Sequence, residues 1–174
     1  MQNALASSAA AFNIGVSMQD IKNGLESFQN VKRRMEVRGV VNGITIYDDF
    51  AHHPSAIETT IKGLRAKVGS EKIIVLAELG SNTMEKGVHQ HTLGAAFSDA
   101  DQIHILHPEN SRWDISPVLE KLNGHGAAHQ KVDDIIKTIL PQLSAPDHVL
   151  ILSNKGFENI HERLILKLKE FCHV

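Results

Sequence analysis

Short apolar runs alternate with longer amphipathic segments along most of the chain. Runs suited to buried strands occur at 44–47, 72–77, 102–106 and 148–153, with a weaker one at 127–132. Segments in which apolar residues recur at helical spacing lie at 55–68, 87–98, 116–123, 132–143 and 157–171. Alternation of this kind is typical of a mostly parallel sheet with helices on both faces. The pattern therefore predicts an α/β domain.

The first part of the chain does not follow this alternation. Residues 3–12 are Ala-rich and uncharged, and residues 17–28 carry apolar side chains at helical spacing. Both stretches are predicted to be helices that need a partner surface, which we expect to lie N-terminal to Met1. The pair Asn42-Gly43, between two strand-like runs, predicts a β-hairpin with a two-residue type I′ turn.

Composition narrows the class of protein. A hydrophobic fraction of 42% and a charged fraction of 22% over 174 residues are those of a soluble globular domain. No apolar run approaches the roughly 18 residues that cross a membrane. The net charge of −2 argues against a nucleic-acid surface, which is usually strongly basic. The single cysteine, Cys172, cannot form an internal disulfide, which favours a reducing, cytoplasmic setting.

Three polar loops follow three of the predicted strands. They read DDFAHHP at 48–54, ELGSNTM at 78–84 and SNKGF at 153–157. The carboxyl ends of parallel strands share one edge of a sheet, and ligands bind in the crevice outside that edge. The three loops are therefore predicted to face one binding site.

The first of these loops has the chemistry of a nucleotide site. Ser55 and Glu58 have capping-box spacing and predict a helix that begins there, whose N-terminus favours an anion. Two aspartates would repel a bare phosphate unless they hydrogen-bond hydroxyl groups or meet a cation. A nucleotide with a ribose diol and a metal-bound phosphate chain satisfies both conditions. A capped turn with solvated charges is the alternative interpretation.

The remaining motifs exclude more than they predict. His125 and His129 lack a cysteine or carboxylate that would complete a zinc site, so no metal site is predicted. The chain contains no GxxxxGKS or GxxxxGKT sequence. It is therefore not expected to cradle a triphosphate by a loop of that kind.

Several motifs together point to a family. NALA at 3–6, RRME at 33–36 and DDFAHHP, in this order and spacing, resemble the Mur ligase family. These are cytoplasmic, ATP-dependent enzymes that build or recycle the peptide of peptidoglycan precursors. SNTM at 81–84 and SNKGFENIH at 153–161 narrow the resemblance to the branch that joins UDP-N-acetylmuramate to the tripeptide L-Ala-γ-D-Glu-meso-diaminopimelate. The alternatives are the branch that adds L-alanine to UDP-N-acetylmuramate, and a nucleotide-binding module without chemistry of its own.

The resemblance implies a ligase of three domains. Residues 34–174 are expected to be its Rossmann-like C-terminal domain, and residues 1–33 to be helices and a linker left from a central ATPase domain. ATP and Mg²⁺ would be held mainly by that missing central domain, so this chain alone is expected to be inactive. Its partners would be UDP-N-acetylmuramate, the tripeptide and the missing domains, with no nucleic acid and no membrane.

The resemblance also implies a mechanism and residue roles. The muramate carboxylate attacks the γ-phosphate of ATP, and the peptide amine then displaces phosphate from the resulting acyl phosphate. The catalytic residues implied by the family motifs are Arg34, Asp49 and His52. The residues implied to contact the nucleotide are Arg34, Asp49, Phe50 and His53. The residues implied to contact the peptide are Ser81, Asn82, Thr83, Ser153, Asn154, Lys155 and Phe157.

One departure from the family pattern concerns charge in the second loop. Gly80 stands where the resemblance leads us to expect an arginine, which would be a natural partner for a carboxylate of the peptide. Lys155, in the third loop, is the candidate to supply the missing positive charge.

Overall fold

The computed structural model describes residues 2–29, 31–80, 86 and 88–171. Internal contacts divide the chain into two compact units, residues 1–32 and residues 33–174, and each unit is described by itself. Within the described ranges, no helix combines the length and the apolar character that crossing a membrane requires.

The smaller unit contains two helices, α1 (Gln2–Asn13) and α2 (Met18–Glu26). Gly15 lies in the turn between them with φ 90°, a left-handed value that glycine adopts without strain. Ser17 caps α2, because its side-chain oxygen accepts a hydrogen bond from the N–H of Asp20 at 3.1 Å. Both helices predicted for this part of the chain are confirmed.

The larger unit is built on a sheet in which six strands are described. In chain order they are β1 (Glu36–Val41), β2 (Ile44–Asp49), β3 (Ile73–Glu78), β4 (Gln102–Leu106), β5 (Gly126–His129) and β6 (His148–Ser153). Across the sheet the order is β1-β2-β6-β3-β4-β5. Strand β1 is antiparallel to β2, and the other neighbouring strands are parallel. The predicted α/β architecture, a mostly parallel Rossmann-like sheet, is confirmed.

The first two strands form the predicted hairpin. Val41 pairs with Ile44, so the connecting loop is two residues long. Asn42 has φ 51° and Gly43 has φ 79°. Positive φ at both central positions is the property of a type I′ turn, and Asn-Gly is the pair that adopts it most readily. The hairpin prediction is confirmed.

Helices cover both faces of the sheet. They are α3 (Pro54–Val68), α4 (Gln90–Leu93), α5 (Ser116–Lys121), α6 (Val132–Ile139) and α7 (Ile160–Phe171). The first three pack with Val75 and Leu152 in one core. The last two pack with Leu76 and Ile151 in a second core on the opposite face. Because successive strand residues point to opposite faces, each central strand serves both cores.

Helix α3 begins differently from the prediction. Pro54 is its first residue and His53 occupies the N-cap position, in an extended conformation and without a side-chain hydrogen bond to the helix. The capping box predicted for Ser55 and Glu58 is therefore wrong. Proline suits the first helical position, because its fixed φ is helical and its missing N–H would have no partner there.

The other four helices are also shorter than predicted, and for α6 and α7 the backbone gives the reason. Helix α6 ends at Ile139 and continues as a 3₁₀ turn through Pro141, which has no N–H to extend the α-helical ladder. Helix α7 starts at Ile160, because Phe157 and Glu158 have φ values of 45° and 46°, which are left-handed.

The carboxyl ends of four strands lie side by side. Asp49 of β2 pairs with Leu152 of β6, and Glu78 of β3 pairs with both Ser153 of β6 and Leu106 of β4. The loops that follow β2, β3 and β6 therefore begin at one edge, as predicted. The loop after β4 begins there as well.

Candidate functional site

A tight turn, Arg33–Met35, precedes β1 at this edge. Arg33 has φ 55° and Met35 has φ 49°, left-handed values that residues other than glycine seldom adopt. The N–H of Phe50 donates to the carbonyl oxygen of Arg33 at 2.9 Å, and the N–H of Arg33 donates to Oε2 of Glu36 at 2.8 Å. A conformation of this kind persists only where its surroundings hold it in place.

Asp49 is one of the groups that hold the turn. Its Oδ2 accepts a hydrogen bond from the N–H of Met35 at 2.8 Å, and its Oδ1 accepts one from the N–H of Ala51 at 2.8 Å. The hydroxyl of Thr60 donates a longer bond to Oδ1 at 3.4 Å. The residue is only 3% exposed. Asp49 thus fastens the turn to the loop after β2 from the inside, through bonds to a charged acceptor.

Asp48 is buried next to it and pairs with cations. Nε of Arg33 donates to its Oδ1 at 3.3 Å. Nε2 of His161 lies 3.3 Å from the same oxygen but is poorly aligned for a hydrogen bond, so this contact is electrostatic. Burial by itself raises the pKa of Asp48, but His161 and Arg33 outweigh burial and hold the pKa below its ordinary value. Asp48 is therefore an ionised carboxylate inside the protein.

Next to these aspartates lies a group of side chains that are exposed or half-buried. Cζ of Arg34 is 5.9 Å from the ring centre of Phe50, a cation–π distance, and Phe50 is 37% exposed. The ring of His52 stands edge-on to Phe50 with 5.3 Å between centres. His53 follows, with its Nδ1 3.0 Å from Oγ of Ser55. Arg34, Phe50 and His53, which were predicted to contact the nucleotide, reach the surface together with His52, which was predicted to be catalytic, whereas Asp49 is buried.

The loop after β6 is held by its own hydrogen bonds. The buried hydroxyl of Ser153 donates to Oε2 of Glu78 at 2.5 Å and accepts a bond from the N–H of Lys155 at 2.9 Å. The N–H of Phe157 donates to the same Oε2 at 3.0 Å, and the Phe157 ring is buried. Asn154 and Lys155 keep exposed surface. Peptide contact by Ser153 and Phe157 stays a prediction, since both side chains are engaged within the fold.

A cavity of about 550 Å³ opens beside this loop. Its walls come from the end of β3, the segments after β3 and β4, and the loop after β6. The cations that line it are Lys86, Arg112 and Lys155, and Trp113 provides an aromatic wall. Ser81, Asn82 and Thr83, which were also predicted to contact the peptide, lie outside the described residues.

Sequence reasoning missed Lys86, Arg112 and Trp113. A signal for two of them existed, because a strand was predicted at 102–106 and its polar continuation, HPENSRW, contains an arginine and a tryptophan. The loop after that strand begins at the same edge as the three loops that were predicted to face the binding site. Lys86 lies two residues after the polar loop at 78–84, and that proximity was its signal.

Lys155 lies directly across Gly80. A Cβ atom added to Gly80 would be 2.4 Å from Cε and 2.9 Å from Nζ of Lys155. These distances are shorter than any ordinary contact, so the lysine occupies the space that a side chain at position 80 would need. The expected arginine is missing, and a lysine from another loop carries a positive charge to the place where that arginine would start.

The described residues do not fit a Mg²⁺ site of their own. Magnesium prefers carboxylates and waters in octahedral geometry. Within the part of the chain that the structure describes, no three His, Cys, Asp or Glu side chains converge to hold a metal ion. The carboxylates of Asp48, Asp49 and Glu78 are each bonded to protein donors.

His104 on β4 and His129 on β5 form a separate pair, in which His104 is buried and His129 is half-buried. Nδ1 of His104 is 3.0 Å from Nε2 of His129. Burial, and after it the charges of His129 and Lys72, lower the pKa of His104 to about 4. His104 is therefore neutral at physiological pH and acts as a hydrogen-bonded core residue.

Comparison with known proteins identifies the family. Residues 33–155 match the model of the family described as Mur ligase, glutamate ligase domain. The chain belongs to the Mur ligase family. The resemblance inferred from the motifs is confirmed.

Relatives of this Mur ligase domain share most of its length. A Haemophilus influenzae protein named UDP-N-acetylmuramate--L-alanyl-gamma-D-glutamyl-meso-2,6-diaminoheptandioate ligase is 41% identical over 170 residues, 97% of this chain and 38% of the relative. The crystal structure of a murein peptide ligase from Psychrobacter arcticus has a TM-score of 0.77 and 41% identity, covering 95% of this chain and 36% of that one. This chain therefore spans well under half the length of these proteins.

A third comparison concerns a domain solved by itself. It comes from a putative UDP-N-acetylmuramate:L-alanyl-gamma-D-glutamyl-medo-diaminopimelate ligase of Haemophilus ducreyi. The TM-score is 0.68 and the identity 41%, covering 78% of this chain and 99% of that one. A related domain has thus been crystallised on its own.

Proposed function

We propose that this chain belongs to an ATP-dependent ligase that joins UDP-N-acetylmuramate to the tripeptide L-Ala-γ-D-Glu-meso-diaminopimelate in the cytoplasm, in the recycling of peptidoglycan. The observation that carries the proposal is the pairing of an exposed Arg34–Phe50 surface with a cationic cavity at one sheet edge. Relatives with that printed activity match nearly the whole chain at 41% identity. Residues 34–174 would be the C-terminal domain and residues 1–33 the end of a central domain.

The surface around Arg34 would meet the nucleotide. ATP, when bound, supplies the phosphoryl group that activates the muramate carboxylate. The planar guanidinium of Arg34 suits a pair of phosphoryl oxygens. Phe50 offers an exposed ring, with His52 and His53 beside it. The remainder of the ATP site, and the Mg²⁺ ligands, would belong to the part of the ligase that this chain does not span.

Asp49 needs a more restricted role than the motif implied. A bond from its carboxylate to a ribose hydroxyl remains our proposal for the complete enzyme, but both oxygens already accept backbone N–H groups. A carboxylate oxygen has two lone-pair directions, so a further bond is chemically available. It would require the 3% exposed side chain to become accessible when the nucleotide binds.

The cavity would take the carboxylate-rich end of the tripeptide. Lys155 and Arg112 face a common space that also carries Lys86 and the ring of Trp113. Cations in a partly enclosed space bind carboxylates more strongly than they do in open water. Ser81, Asn82, Thr83 and Asn154 remain proposed donors to the same peptide.

Placing both sites on one edge serves the reaction. The amine of the peptide must reach the activated carboxylate, which forms where the nucleotide phosphates lie. A peptide anchored in the cavity by its far end would direct its amine towards Arg34. Holding two reactants in this orientation is a large part of what an enzyme of this kind contributes.

The choice of acceptor tests the proposal. The complete ligase that contains this domain would be assayed with UDP-N-acetylmuramate, ATP and Mg²⁺, and with either the tripeptide or L-alanine. We expect kcat/KM to be higher for the tripeptide by about tenfold or more, because only the tripeptide reaches the cavity cations. A preference for L-alanine would contradict the proposal, and ligation of neither acceptor would leave a nucleotide-binding module.

Two matched variants connect the assay to the cavity. Arg112→Met removes a cavity cation, and Lys137→Met removes an exposed cation at the end of α6. We expect Arg112→Met to lower kcat/KM for the tripeptide and Lys137→Met to leave it unchanged. This chain without the rest of the ligase is expected neither to hydrolyse ATP nor to form the amide bond.

A further inference from the structure

Arg33 joins three parts of the larger unit. Its Nε donates to Asp48 on β2, and its Nη2 donates to the carbonyl oxygen of Ser153 at the end of β6 at 2.5 Å. Its Cζ also lies 5.3 Å from the ring centre of Phe50. The side chain is 31% exposed, whereas the next residue, Arg34, is exposed at the surface.

We propose that Arg33 is a positioning residue that holds the left-handed turn and thereby presents Arg34 at the sheet edge. The proposal rests on the proposed function, in which Arg34 meets the ATP phosphates. Arg33 itself would contact neither nucleotide nor peptide.

The backbone of the turn shows why a positioning residue is needed. Arg33 and Met35 both have positive φ, on either side of Arg34. Neither is a glycine, so each would relax towards negative φ in a free peptide. The direction in which Arg34 leaves the backbone depends on both residues. A small relaxation of the turn would therefore move the Arg34 guanidinium away from its ligand.

The partners of Arg33 are fixed groups of the sheet. Asp48 is 2% exposed, and Arg38 and His161 also face its carboxylate. The carbonyl of Ser153 is part of the last residue of β6. A guanidinium can donate from Nε and Nη2 to two acceptors in fixed directions, which the single ammonium of a lysine cannot reproduce. The site is therefore specific for arginine.

The same contact connects the two proposed ligand sites. Ser153 accepts from Arg33 through its carbonyl oxygen, and its hydroxyl donates to Glu78, which lines the cavity. Arg33 therefore sets the spacing between the Arg34 turn and the acceptor side. Its loss is expected to affect the alignment of the reactants more than the binding of either one.

Kinetics of the complete ligase test this role. Arg33→Met is expected to lower kcat by about 100-fold, the size seen when catalytic groups are displaced. KM for ATP should change by less than about threefold, because an alignment effect acts on the transition state. Arg33→Lys should lower kcat by about tenfold, since a lysine can keep one of the two hydrogen bonds. An unchanged kcat in Arg33→Met overturns the proposal.

A double variant separates positioning from independent action. If Arg33 acts through Arg34, then Arg33→Met with Arg34→Met should be no slower than Arg34→Met alone. If the losses of kcat in the two single variants multiply in the double variant, Arg33 does not act through Arg34, and the proposal is overturned.

Arg65 provides the matched control. Its side chain is 26% exposed, donates to the carbonyl oxygens of Asp99 and Glu71, and pairs with Asp101. Arg65→Met is expected to lower stability but to leave kcat of the folded enzyme unchanged. A fall in kcat equal to that of Arg33→Met would reduce the Arg33 effect to general destabilisation and overturn the proposal.

A titration tests the contact without any assay of activity. In this chain, the pKa of Asp48 would be followed by NMR of its carboxyl carbon. Arg33→Met should move that pKa upwards, because a cation that favours the ionised form is removed. An unmoved pKa overturns the proposal. If the unmodified complete protein ligates neither acceptor, the proposed function fails, but this titration still reports on Arg33.

Discussion

Two regions of one sheet edge use their charged residues in opposite ways. Beside β2, the carboxylates of Asp48 and Asp49 are buried and bonded to groups of the protein itself. On the other side of β6, the cations of Lys86, Arg112 and Lys155 line an open cavity. The acidic pair builds the turn that carries Arg34, whereas the basic set lines a cavity large enough to admit a ligand.

This difference shows that a motif rich in ionisable residues does not necessarily expose all of them to a ligand. DDFAHHP holds two carboxylates and two histidines within seven residues, which would suggest direct ligand contact from every one of them. Burial decides otherwise, because a desolvated carboxylate must be paired within the fold. Phe50, His52 and His53 keep surface open to solvent, and these are the members of the motif that we propose to meet the nucleotide.

The largest expected effect concerns the buried acidic side. Asp49→Asn leaves an amide in place of a carboxylate, so one of the N–H groups of Met35 and Ala51 would face an NH₂ group. We expect the free energy of unfolding of this chain to fall by about 2–4 kcal/mol, the effect of charge-assisted bonds and a donor left unsatisfied. Urea denaturation followed by circular dichroism measures it.

The control for this variant is Asp114→Asn, whose exposed carboxylate accepts the N–H of Ser116. It should change stability much less than Asp49→Asn. Equal stability of Asp49→Asn and the unmodified chain would break the comparison. In the complete ligase, a rise of about tenfold or more in KM for ATP would add a ribose contact to the role of Asp49.

The next effect concerns pH and the buried histidine. Folding lowers the pKa of His104 from 6.5 to about 4, so the unfolded chain takes up this proton first as pH falls. The stabilisation is complete above pH 6.5 and is lost as pH falls towards 4, by about 2 kcal/mol at pH 5. Urea midpoints at pH 7 and pH 5 should show this loss.

His104→Gln should remove a large part of that pH dependence, while Lys155→Met should retain it. His129, whose pKa burial also lowers, contributes in the same direction and is still present in His104→Gln. Asp48 does not contribute in this window. Its pKa is lowered in the folded state, so its stabilisation is lost only below its ordinary value of 3.8. If His104→Gln and the unmodified chain lose stability equally between pH 7 and pH 5, the buried histidine is not the cause.

A third test addresses the cations that line the cavity. Lys155→Met in the complete ligase should raise KM for the tripeptide by about tenfold or more, through the loss of a charge-assisted contact. KM for ATP should remain unchanged. Because Lys155 fills the space beside Gly80, the double variant Gly80→Arg with Lys155→Ala returns a cation to the cavity from the other loop.

If KM for the tripeptide returns to its original value in that double variant, the cavity needs a positive charge but not a particular loop to supply it. This result would sharpen the comparison between the two regions. Gly80→Arg alone keeps both cations in too small a space and is not expected to improve KM. If KM for the tripeptide is as high in the double variant as in Lys155→Met, the position in the chain from which the cation extends is essential.

The smallest expected effect concerns the exposed ring beside Arg34. Phe50→Leu removes cation–π contacts with Arg33 at 5.3 Å and Arg34 at 5.9 Å. Such contacts contribute about 0.5–1 kcal/mol at exposed sites, so kcat/KM for ATP should fall about two- to fivefold. Phe171→Leu, an exposed phenylalanine at the end of α7, is the control and should have no effect.

The local elements could be read from the sequence because their signals are local. Asn42-Gly43 required the hairpin, and the apolar runs at 102–106 and 148–153 became β4 and β6 with the same bounds. The start of α3 was predicted one residue late, since a proline after an extended residue replaced the expected capping box. The shared edge followed from the alternation of strands and helices.

The contacts that individual side chains make could not be predicted from local sequence signals. Arg33 meets Ser153 across 120 positions of the chain, and Glu78 meets Phe157 across 79. The cavity collects Lys86 and Arg112 from segments that no single motif contains. Such contacts depend on strand order, in which β6 is inserted between β2 and β3.

The sequence by itself thus determined the α/β fold, the family and the edge on which the polar loops lie. These depend on periodicity, turn chemistry and motif spacing, which act over a few residues. Only the tertiary structure decided that Asp48 and Asp49 are buried and bonded to other groups of the protein. It also decided that Lys155 fills the space that a side chain at position 80 would need. Burial and pairing are properties of neighbours in space, and sheet order brings those neighbours together from distant parts of the chain.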